Sequence, residues 1–340
     1  MTHESLNRRR FRRFRRNRRG FTSLIVFLIL FIVTGLAEVV SNDKPFLVIY
    51  EGSLYFPVLK SYPETTFGGD FDTEADYRDP FILKKLNSGG NHAFFPLNPY
   101  SFDSINAELD QPVPSPPSRA NLLGTDDRGR DVLARLIYGF RLSILFGLAL
   151  TAIGTGIGIV SGAVMGYFGG RTDLLCQRFI EIWGSMPELY LLIIFASIFK
   201  PSALLLLILL SLFGWIGLSD YVRAEFLKGR NLDYVTAAKA LGVGNLTIMF
   251  RHLLPNGMTP VITFLPFRMS GAIIALTSLD FLGLGVPPPA PSLGELLAQG
   301  KGNIEAWWLS VSSFAVLVGT LMLLIFIGEA LREAFDPRKV

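Results

Sequence analysis

The apolar residues of this chain lie in long blocks, without the period of a strand or of an amphipathic surface helix. A helix that crosses a membrane needs about 20 mostly apolar residues, and six blocks approach or exceed that length. They cover residues 21–40, 142–168, 178–199, 202–218, 259–285 and 306–327. The pattern predicts an all-α polytopic membrane protein with six transmembrane helices.

The composition agrees with this prediction. Half of the residues are hydrophobic and only 18% are charged, whereas soluble domains carry roughly 25% charged residues. The single cysteine, Cys176, excludes an intrachain disulfide. The three histidines are scattered along the chain, so the sequence predicts no metal site.

Nine arginines precede the first apolar block, at positions 8, 9, 10, 12, 13, 15, 16, 18 and 19. Lys and Arg are enriched in cytoplasmic segments, so residues 1–20 are predicted to be cytoplasmic. Six crossings then return residues 331–340 to the same side. The first block is too long for a cleaved secretory signal and is interpreted as an uncleaved span. An Arg-rich arm can also bind nucleic acid, but directly before a span we favour contact with anionic lipid and predict no nucleic-acid partner.

About 100 residues, 41–141, separate the first two spans on the outer side, too many for a structureless loop. Residues 46–50 and 54–58 are rich in β-formers and predict a hairpin. Residues 111–117 are Pro-rich and predict an extended linker. Thr125 or Asp126 is expected to cap the helix that leads into the second span. The acids and arginines of residues 126–131 are expected to form ion pairs at the membrane surface.

Several charged residues fall inside the predicted spans, and three of them are considered for a substrate path: Glu188, Arg268 and Asp280. Ionisable groups are costly in a membrane and are candidates for a substrate path. The alternatives are an interfacial position for Asp280 and ion pairs within the protein. Small residues in the second span are expected to allow close helix packing, although they could also line a cavity; they are Gly154, Gly156, Gly158 and Gly162.

A polar segment, residues 220–258, separates the fourth and fifth spans and is predicted to be cytoplasmic. In its first helix, capped by Asn231, the residues Tyr234, Ala237, Ala238 and Leu241 share one face. Gly242 and Gly244 are expected to end that helix. A second helix is expected from Asn245, with Pro255 as its terminator and one apolar face made by Leu246, Met249, Phe250 and Leu253. These apolar faces could pack on the chain's own spans or dock a partner.

This segment resembles the EAA loop of ABC importer permeases. The matching positions are Thr236-Ala237-Ala238, Gly242 and His252-Leu253-Leu254-Pro255, with Thr236 where the family usually has Glu. The resemblance implies a helix that docks in a groove of an ATPase subunit. The residues that it assigns to this coupling role are Tyr234, Thr236, Ala237, Ala238, Leu241, Gly242, His252, Leu254 and Pro255.

Other stretches are similar to the C-type permeases of dipeptide and oligopeptide importers: Leu123–Arg135, Ile137–Ser143, Phe281–Gly285 and Gly328–Arg338. The stretches Asn42–Phe46 and Phe67–Asp70 look like the Yej-type subgroup, which imports peptides and the peptide-nucleotide antibiotic microcin C. The resemblance implies a type I ABC importer permease fold in the bacterial inner membrane, with a periplasmic insertion at 41–141 and a permease domain at 142–330.

The implied partners are a second homologous permease chain, one or more ABC ATPase subunits and a periplasmic peptide-binding protein. The resemblance implies no cofactor on this chain, with ATP and Mg²⁺ bound by the ATPase subunits, and a transport subunit rather than an enzyme. The chain indeed lacks the Gly-x-x-x-x-Gly-Lys-Ser/Thr phosphate loop. An ATP-independent secondary transporter or channel is the alternative, but no inverted repeats are visible. An intramembrane enzyme would need a catalytic pair, and His252 has no partner in the sequence.

Overall fold

The computed structural model describes residues 6–106, 109 and 111–336, so the ends of both predicted cytoplasmic tails lie outside the described residues. The regular structure of these residues is helical apart from one small sheet. In chain order the elements are α1 (Leu6–Arg16), α2 (Arg18–Gly35), α3 (Ala37–Val40), β1 (Leu47–Tyr50), β2 (Ser53–Tyr55), a 3₁₀ turn (Glu64–Phe67), α4 (Pro80–Leu86), β3 (His92–Phe94), α5 (Val132–Phe168), α6 (Gly170–Gly184), α7 (Glu188–Ile198), α8 (Ala203–Ser211), α9 (Ile216–Gly229), α10 (Asp233–Ala240), α11 (Asn245–Thr247), a π-helical turn (Ile248–Leu253), α12 (Leu254–Phe281), α13 (Leu293–Gly302) and α14 (Trp307–Phe335).

In the part of the chain that the structure describes, five helical stretches are long and apolar enough to cross a membrane: Arg18–Gly35, Val132–Phe168, Ala203–Gly229, Asn245–Phe281 and Trp307–Phe335. The pair α6 and α7 adds a sixth if it forms one broken span, with a bend of 65° between its halves. Pro187 stands at this bend, where its ring disfavours a helical residue before it and supplies no N–H. The six predicted spans agree with this arrangement.

The start of α2 and the end of α14 lie together. Phe14 packs with Ala330 and Ala334 in one buried cluster, and Asn17 Nδ2 donates to Glu333 Oε2 at 2.8 Å. If α2 and α14 each cross the membrane, these two ends lie on one side and the number of crossings is even. This observation favours counting α6 and α7 as a single broken span.

Helix α5 begins at Val132, before the predicted second span, and its N-cap differs from the expected one. Asp131, and neither Thr125 nor Asp126, caps the helix: its Oδ2 accepts from the Ala134 N–H at 2.8 Å. Thr125 Oγ1 instead accepts from the Ser115 N–H, and Asp126 accepts from Arg130 Nε at 2.7 Å. A cap needs a side chain at the residue directly before the first helical turn, and that residue is Asp131.

The long segment between the first two spans folds around its own small core. The predicted hairpin is confirmed, with β1 antiparallel to β2 and Ile49 opposite Leu54. Its two turn residues, Glu51 and Gly52, both have positive φ, which suits the twist of a tight hairpin. The sequence pattern missed β3, a three-residue strand that pairs with the other edge of β1. Phe67 is buried among the rings of this core.

Within the described residues the chain divides into two compact units. One contains the chain up to Phe27, residues 144–286 and the chain from Val318; the other contains residues 28–143 and 287–317. The first holds α6 to α12 and the second holds the sheet and α13. The candidate sites described below each lie within one unit.

Glycines let α5 approach α9 closely. A Cβ at Gly162 would lie 2.4 Å from the Ser219 carbonyl oxygen, and one at Gly158 would lie 3.0 Å from the Trp215 carbonyl oxygen. The predicted close packing is confirmed at these two positions. Gly154 borders Arg268 and the Gly214 carbonyl, whereas a Cβ at Gly156 would meet open space.

Replacing Gly162 with alanine should therefore destabilise the fold, because the nearest atom is backbone and cannot move aside alone. Overpacking of a tight site costs about 1–3 kcal/mol, and we expect Gly162→Ala to lower the melting temperature of the purified protein in detergent. Gly156→Ala is the matched control and should melt like the wild type. Equal melting of the two variants would contradict this account of the α5–α9 contact.

Candidate functional site

The segment between α9 and α12 begins with the short helix α10. Its N-cap residue is Leu232, without a side-chain hydrogen bond, so the expected cap by Asn231 is wrong. The end of the helix is as predicted: Gly242 has a φ of +77°, which an L-residue adopts with difficulty. The Val243 N–H donates to the Ala238 carbonyl at 3.0 Å, which closes the turn.

The second half of the segment is continuous with the fifth span. Gly244, and not Asn245, is the N-cap residue of α11, and Asn245 Oδ1 instead accepts from the Tyr167 hydroxyl at 2.8 Å. Pro255 does not end the helix as expected. The preceding π-helical turn, in which the Leu254 N–H donates to the Met249 carbonyl, widens the backbone just before the proline. A π-turn of this kind lets a helix continue past a residue that lacks an N–H.

One side of the segment is packed on the chain's own helices. Val235, Ile248, Met249 and Leu253 are buried in a cluster with residues of α5 and α9, including Val222 and Phe226. This side of the segment therefore packs on the chain's own spans, which is one of the two alternatives considered from the sequence. The periodicity had assigned Met249 and Leu253 to one face with Leu246 and Phe250, but the last two are exposed.

The other side of the segment is uncovered. Tyr234 is 41% exposed and Leu241 is 83% exposed, and Ala237 between them is also exposed. We name these three residues the exposed α10 face. Ala238, predicted on the same face, is half-buried against the core. The exposed α10 face is small at its centre and apolar at both ends, a shape that suits insertion into a groove.

The remaining residues of the predicted coupling set are spread over this segment. Thr236 is exposed, and its hydroxyl donates back to the Leu232 carbonyl at 3.0 Å. His252 and Leu254 are half-buried, and Pro255 is exposed. Thr236 therefore bonds to its own helix and presents no charge where the EAA pattern usually has Glu.

Polar contacts that the sequence analysis missed hold the segment and its flanks in place. Arg223 on α9 makes two hydrogen bonds with Asp173 on α6, at 2.5 and 2.6 Å. Lys239 lies 5.0 Å above the ring of Tyr167, whose hydroxyl donates to Asn245. The pair of Arg223 and Asp173 is bidentate. Bidentate pairs of this kind fix geometry as well as charge.

Two of the three residues considered for a substrate path line one cavity. Glu188 and Arg268 line a space of about 260 Å³ together with Leu150, Thr151, Phe213 and Gly214. Arg268 Nη2 donates to the Gly214 carbonyl at 2.7 Å. Asp280 is not among the lining residues; it is buried, and its Oδ1 accepts from the Val286 N–H at 2.8 Å, which stabilises the turn after α12.

A buried ionic cluster joins the start of α5 to α13. Arg130 Nη2 lies 2.6 Å from Asp126 Oδ2 and 3.2 Å from Glu295 Oε1. Arg135 Nη2 lies 2.5 Å from Glu295 Oε2, and Arg135 and Asp126 are both fully buried. Burial lowers the pKa of Arg130, but its hydrogen bond to Asp126 and the charges of Asp126 and Glu295 outweigh this effect, and the pKa of Arg130 is raised. The expected ion pairs exist but are buried, and Glu295 was not foreseen.

Two family models match the chain. Residues 154–340 match the model described as binding-protein-dependent transport system inner membrane component. Residues 5–59 match the N-terminal TM domain of oligopeptide transport permease C. The first match includes the whole segment between α9 and α12. It also includes Glu188 and Arg268, the charged residues of the cavity described above, which we name the charged cavity.

Curated relatives are similar over nearly the full chain. The inner membrane ABC transporter permease protein YejE of Escherichia coli is 52% identical, over 98% of this chain and 98% of its own length. The peptidoglycan transport system permease protein YejE of Agrobacterium fabrum is 50% identical, over 98% and 93%. The dipeptide transport system permease protein DppC of Haemophilus influenzae is 38% identical, over 64% and 75%.

Among solved structures, an inward-facing conformation of the MetNI methionine ABC transporter aligns with a TM-score of 0.48 at 16% identity, covering 60% of this chain and 97% of that chain. The family model and the near full-length relatives are the basis of the assignment. They confirm the fold class expected from the sequence, a mostly helical ABC importer permease of type I. The chain is a multi-pass inner membrane protein and belongs to the family of binding-protein-dependent transport system inner membrane components.

Proposed function

We propose that this permease imports peptides and that ATP hydrolysis on partner subunits drives the import through the exposed α10 face. The observation that carries the coupling proposal is the two-sided character of the segment. Val235 is buried in the chain's own core, while Tyr234 on the same short helix and Leu241 at its C-cap are exposed. A surface of this kind is suited to a partner, because an uncovered apolar face is otherwise unfavourable.

The packing of the segment explains how a displacement of α10 would be transmitted to the spans. Val235 shares one buried cluster with Phe226 of α9 and with Val261 of α12. Close-packed interiors transmit displacement because they have little free volume. A movement of the docked ATPase would therefore move α9 and α12 together with α10.

Peptides are the proposed cargo because the relatives' names share that chemistry. The Haemophilus relative is named for dipeptides and the Agrobacterium relative for peptidoglycan, a polymer with peptide parts. Peptide-nucleotide compounds such as microcin C fit the same proposal. The proposed partners are a second homologous permease chain, ABC ATPase subunits that bind ATP and Mg²⁺, and a periplasmic peptide-binding protein.

The proposed orientation places both ends of the chain in the cytoplasm. Support comes from the basic residues of α1 and from the contact between the start of α2 and the end of α14. Helix α1 buries Phe14 and places Arg10 4.5 Å above the ring of Phe335. The remaining arginines of this helix suit the anionic lipid headgroups of the inner leaflet.

Purification from detergent should test the proposed function. We expect an ABC ATPase and a second permease to elute in the same peak as this chain, with ATPase activity that rises when a peptide-loaded binding protein is added. Proteoliposomes of the complex should take up peptide only with ATP. Uptake by this chain alone, driven by an ion gradient, would instead identify the secondary transporter considered from the sequence.

A further inference from the structure

The charged cavity lies where two spans are interrupted and a third helix carries a proline. The bend between α6 and α7 precedes Glu188, and the break between α8 and α9 contains Phe213 and Gly214. Helix α12 carries Pro266 two residues before Arg268. Irregular backbone within a membrane is tolerated where it lines a cavity, and interrupted helices often frame the binding sites of transporters. Two helix breaks and a helix proline at one space are the first indication of a ligand site.

Arg268 carries hydrogen-bonding capacity that the described residues leave unused. Its Nη2 is bonded to the Gly214 carbonyl, but its Nε is buried without a hydrogen-bond partner in the described part of the chain. A buried donor without an acceptor is costly, and the cost is greater for a charged group. An acceptor that enters the cavity would remove this cost.

The position of the guanidinium depends on a glycine. A Cβ at Gly154 would lie 2.8 Å from Arg268 Nη2 and 3.1 Å from the Gly214 carbonyl oxygen. The absence of a side chain at residue 154 therefore leaves room for the bond between Arg268 and Gly214. The guanidinium of Arg268 is therefore held at a defined position in the cavity.

The opposite charges indicate the ligand. We infer that Glu188 and Arg268 bind the two charged ends of a small zwitterionic peptide, with the carboxylate on Arg268 and the ammonium on Glu188. The inference rests on the proposed function and adds a substrate-binding site to it. The planar guanidinium suits a carboxylate, which it can bind through two parallel hydrogen bonds. The volume of about 260 Å³ lies just below the range of roughly 300–1,000 Å³ for drug-sized ligands, so it suits a dipeptide.

The test compares Ala-Ala with its C-terminal amide in proteoliposomes of the whole transporter, with a saturating peptide-loaded binding protein. The measured quantity is the ratio of uptake by the Arg268→Gln variant to uptake by the wild type, for each peptide separately. The preference of the binding protein then cancels from each ratio. We expect the variant to lose about tenfold or more for Ala-Ala, since a charged hydrogen-bond partner is removed, and to change little for the amide.

Glu188→Gln should show the mirror result, with a selective loss for Ala-Ala relative to N-acetyl-Ala-Ala. The matched controls are Arg178→Gln and Glu181→Gln, which remove the same charges from an exposed pair on α6 and should lose nothing for any peptide. Arg268→Lys keeps the charge and should retain part of the preference for the free carboxylate, and it replaces Arg268→Gln if that variant does not assemble.

Equal losses for Ala-Ala and its amide in the Arg268 variant that assembles, beside normal ATP-dependent uptake by the wild type, would overturn the zwitterion site and leave the proposed function intact. Absence of ATP-dependent peptide uptake by the wild-type complex would instead count against the proposed function itself. The two failures are therefore distinguishable in one set of measurements.

Discussion

An Ala237→Glu variant is expected to insert and assemble normally but to lose peptide uptake by about 100-fold. Ala237 is exposed at the centre of the exposed α10 face, so the new carboxylate costs nothing in the isolated chain. In the proposed complex the same carboxylate would be buried against an ATPase without a partner, which costs several kcal/mol, and about 2.7 kcal/mol is a factor of 100. Uptake and ATP hydrolysis are measured in the same proteoliposomes.

Thr236→Glu is the matched control for this variant, because it places the same charge at the neighbouring exposed position. Glu is also the usual residue of the EAA pattern there, so we expect Thr236→Glu to retain uptake. A charge at Ala238 is a poorer test, because Ala238 packs against the buried core. Wild-type uptake by Ala237→Glu, or an equal loss in Thr236→Glu, would refute docking by the exposed α10 face.

Much of the fold could be predicted because the membrane imposes simple rules. The length of the apolar blocks predicts the spans, because backbone that faces lipid must satisfy its hydrogen bonds within a helix. The turn at Gly242 was predictable from local chemistry, because a helix end with positive φ favours glycine. The failures were also local. Pro255 lies in a continuous helix because a π-helical turn precedes it. No pattern in the sequence predicted that turn.

The candidate site was predictable only as a segment, and its division into two sides was not. Helical period placed Tyr234, Ala237, Ala238 and Leu241 together, but Val235, outside that face, is the buried residue. Which side of a short helix is buried depends on distant helices such as α5 and α9. For the same reason Glu295 was missed, since its partners Arg130 and Arg135 lie far from it in the sequence.

The Arg135→Met variant is expected to lose about 3–5 kcal/mol of stability, the usual cost of removing one partner from a buried ion pair. Arg135 is fully buried, and it lies 2.5 Å from Glu295 and 3.5 Å from Asp126. It also donates to the carbonyl oxygens of Phe102 and Ala290. Methionine fills similar space but leaves buried acceptors and excess negative charge. The melting temperature of the detergent-purified protein should fall clearly.

Comparison with a double variant separates the ionic term from the packing term. In Arg135→Met with Glu295→Leu, the guanidinium and the carboxylate that faces it are both absent, and Arg130 still balances Asp126 at 2.6 Å. Apolar replacement of a whole buried pair is often neutral, so the double variant should regain much of the lost stability. Arg178→Gln breaks an exposed pair and should cost less than about 1 kcal/mol. If Arg135→Met melts no lower than Arg178→Gln, the cluster does not hold α13 against the start of α5.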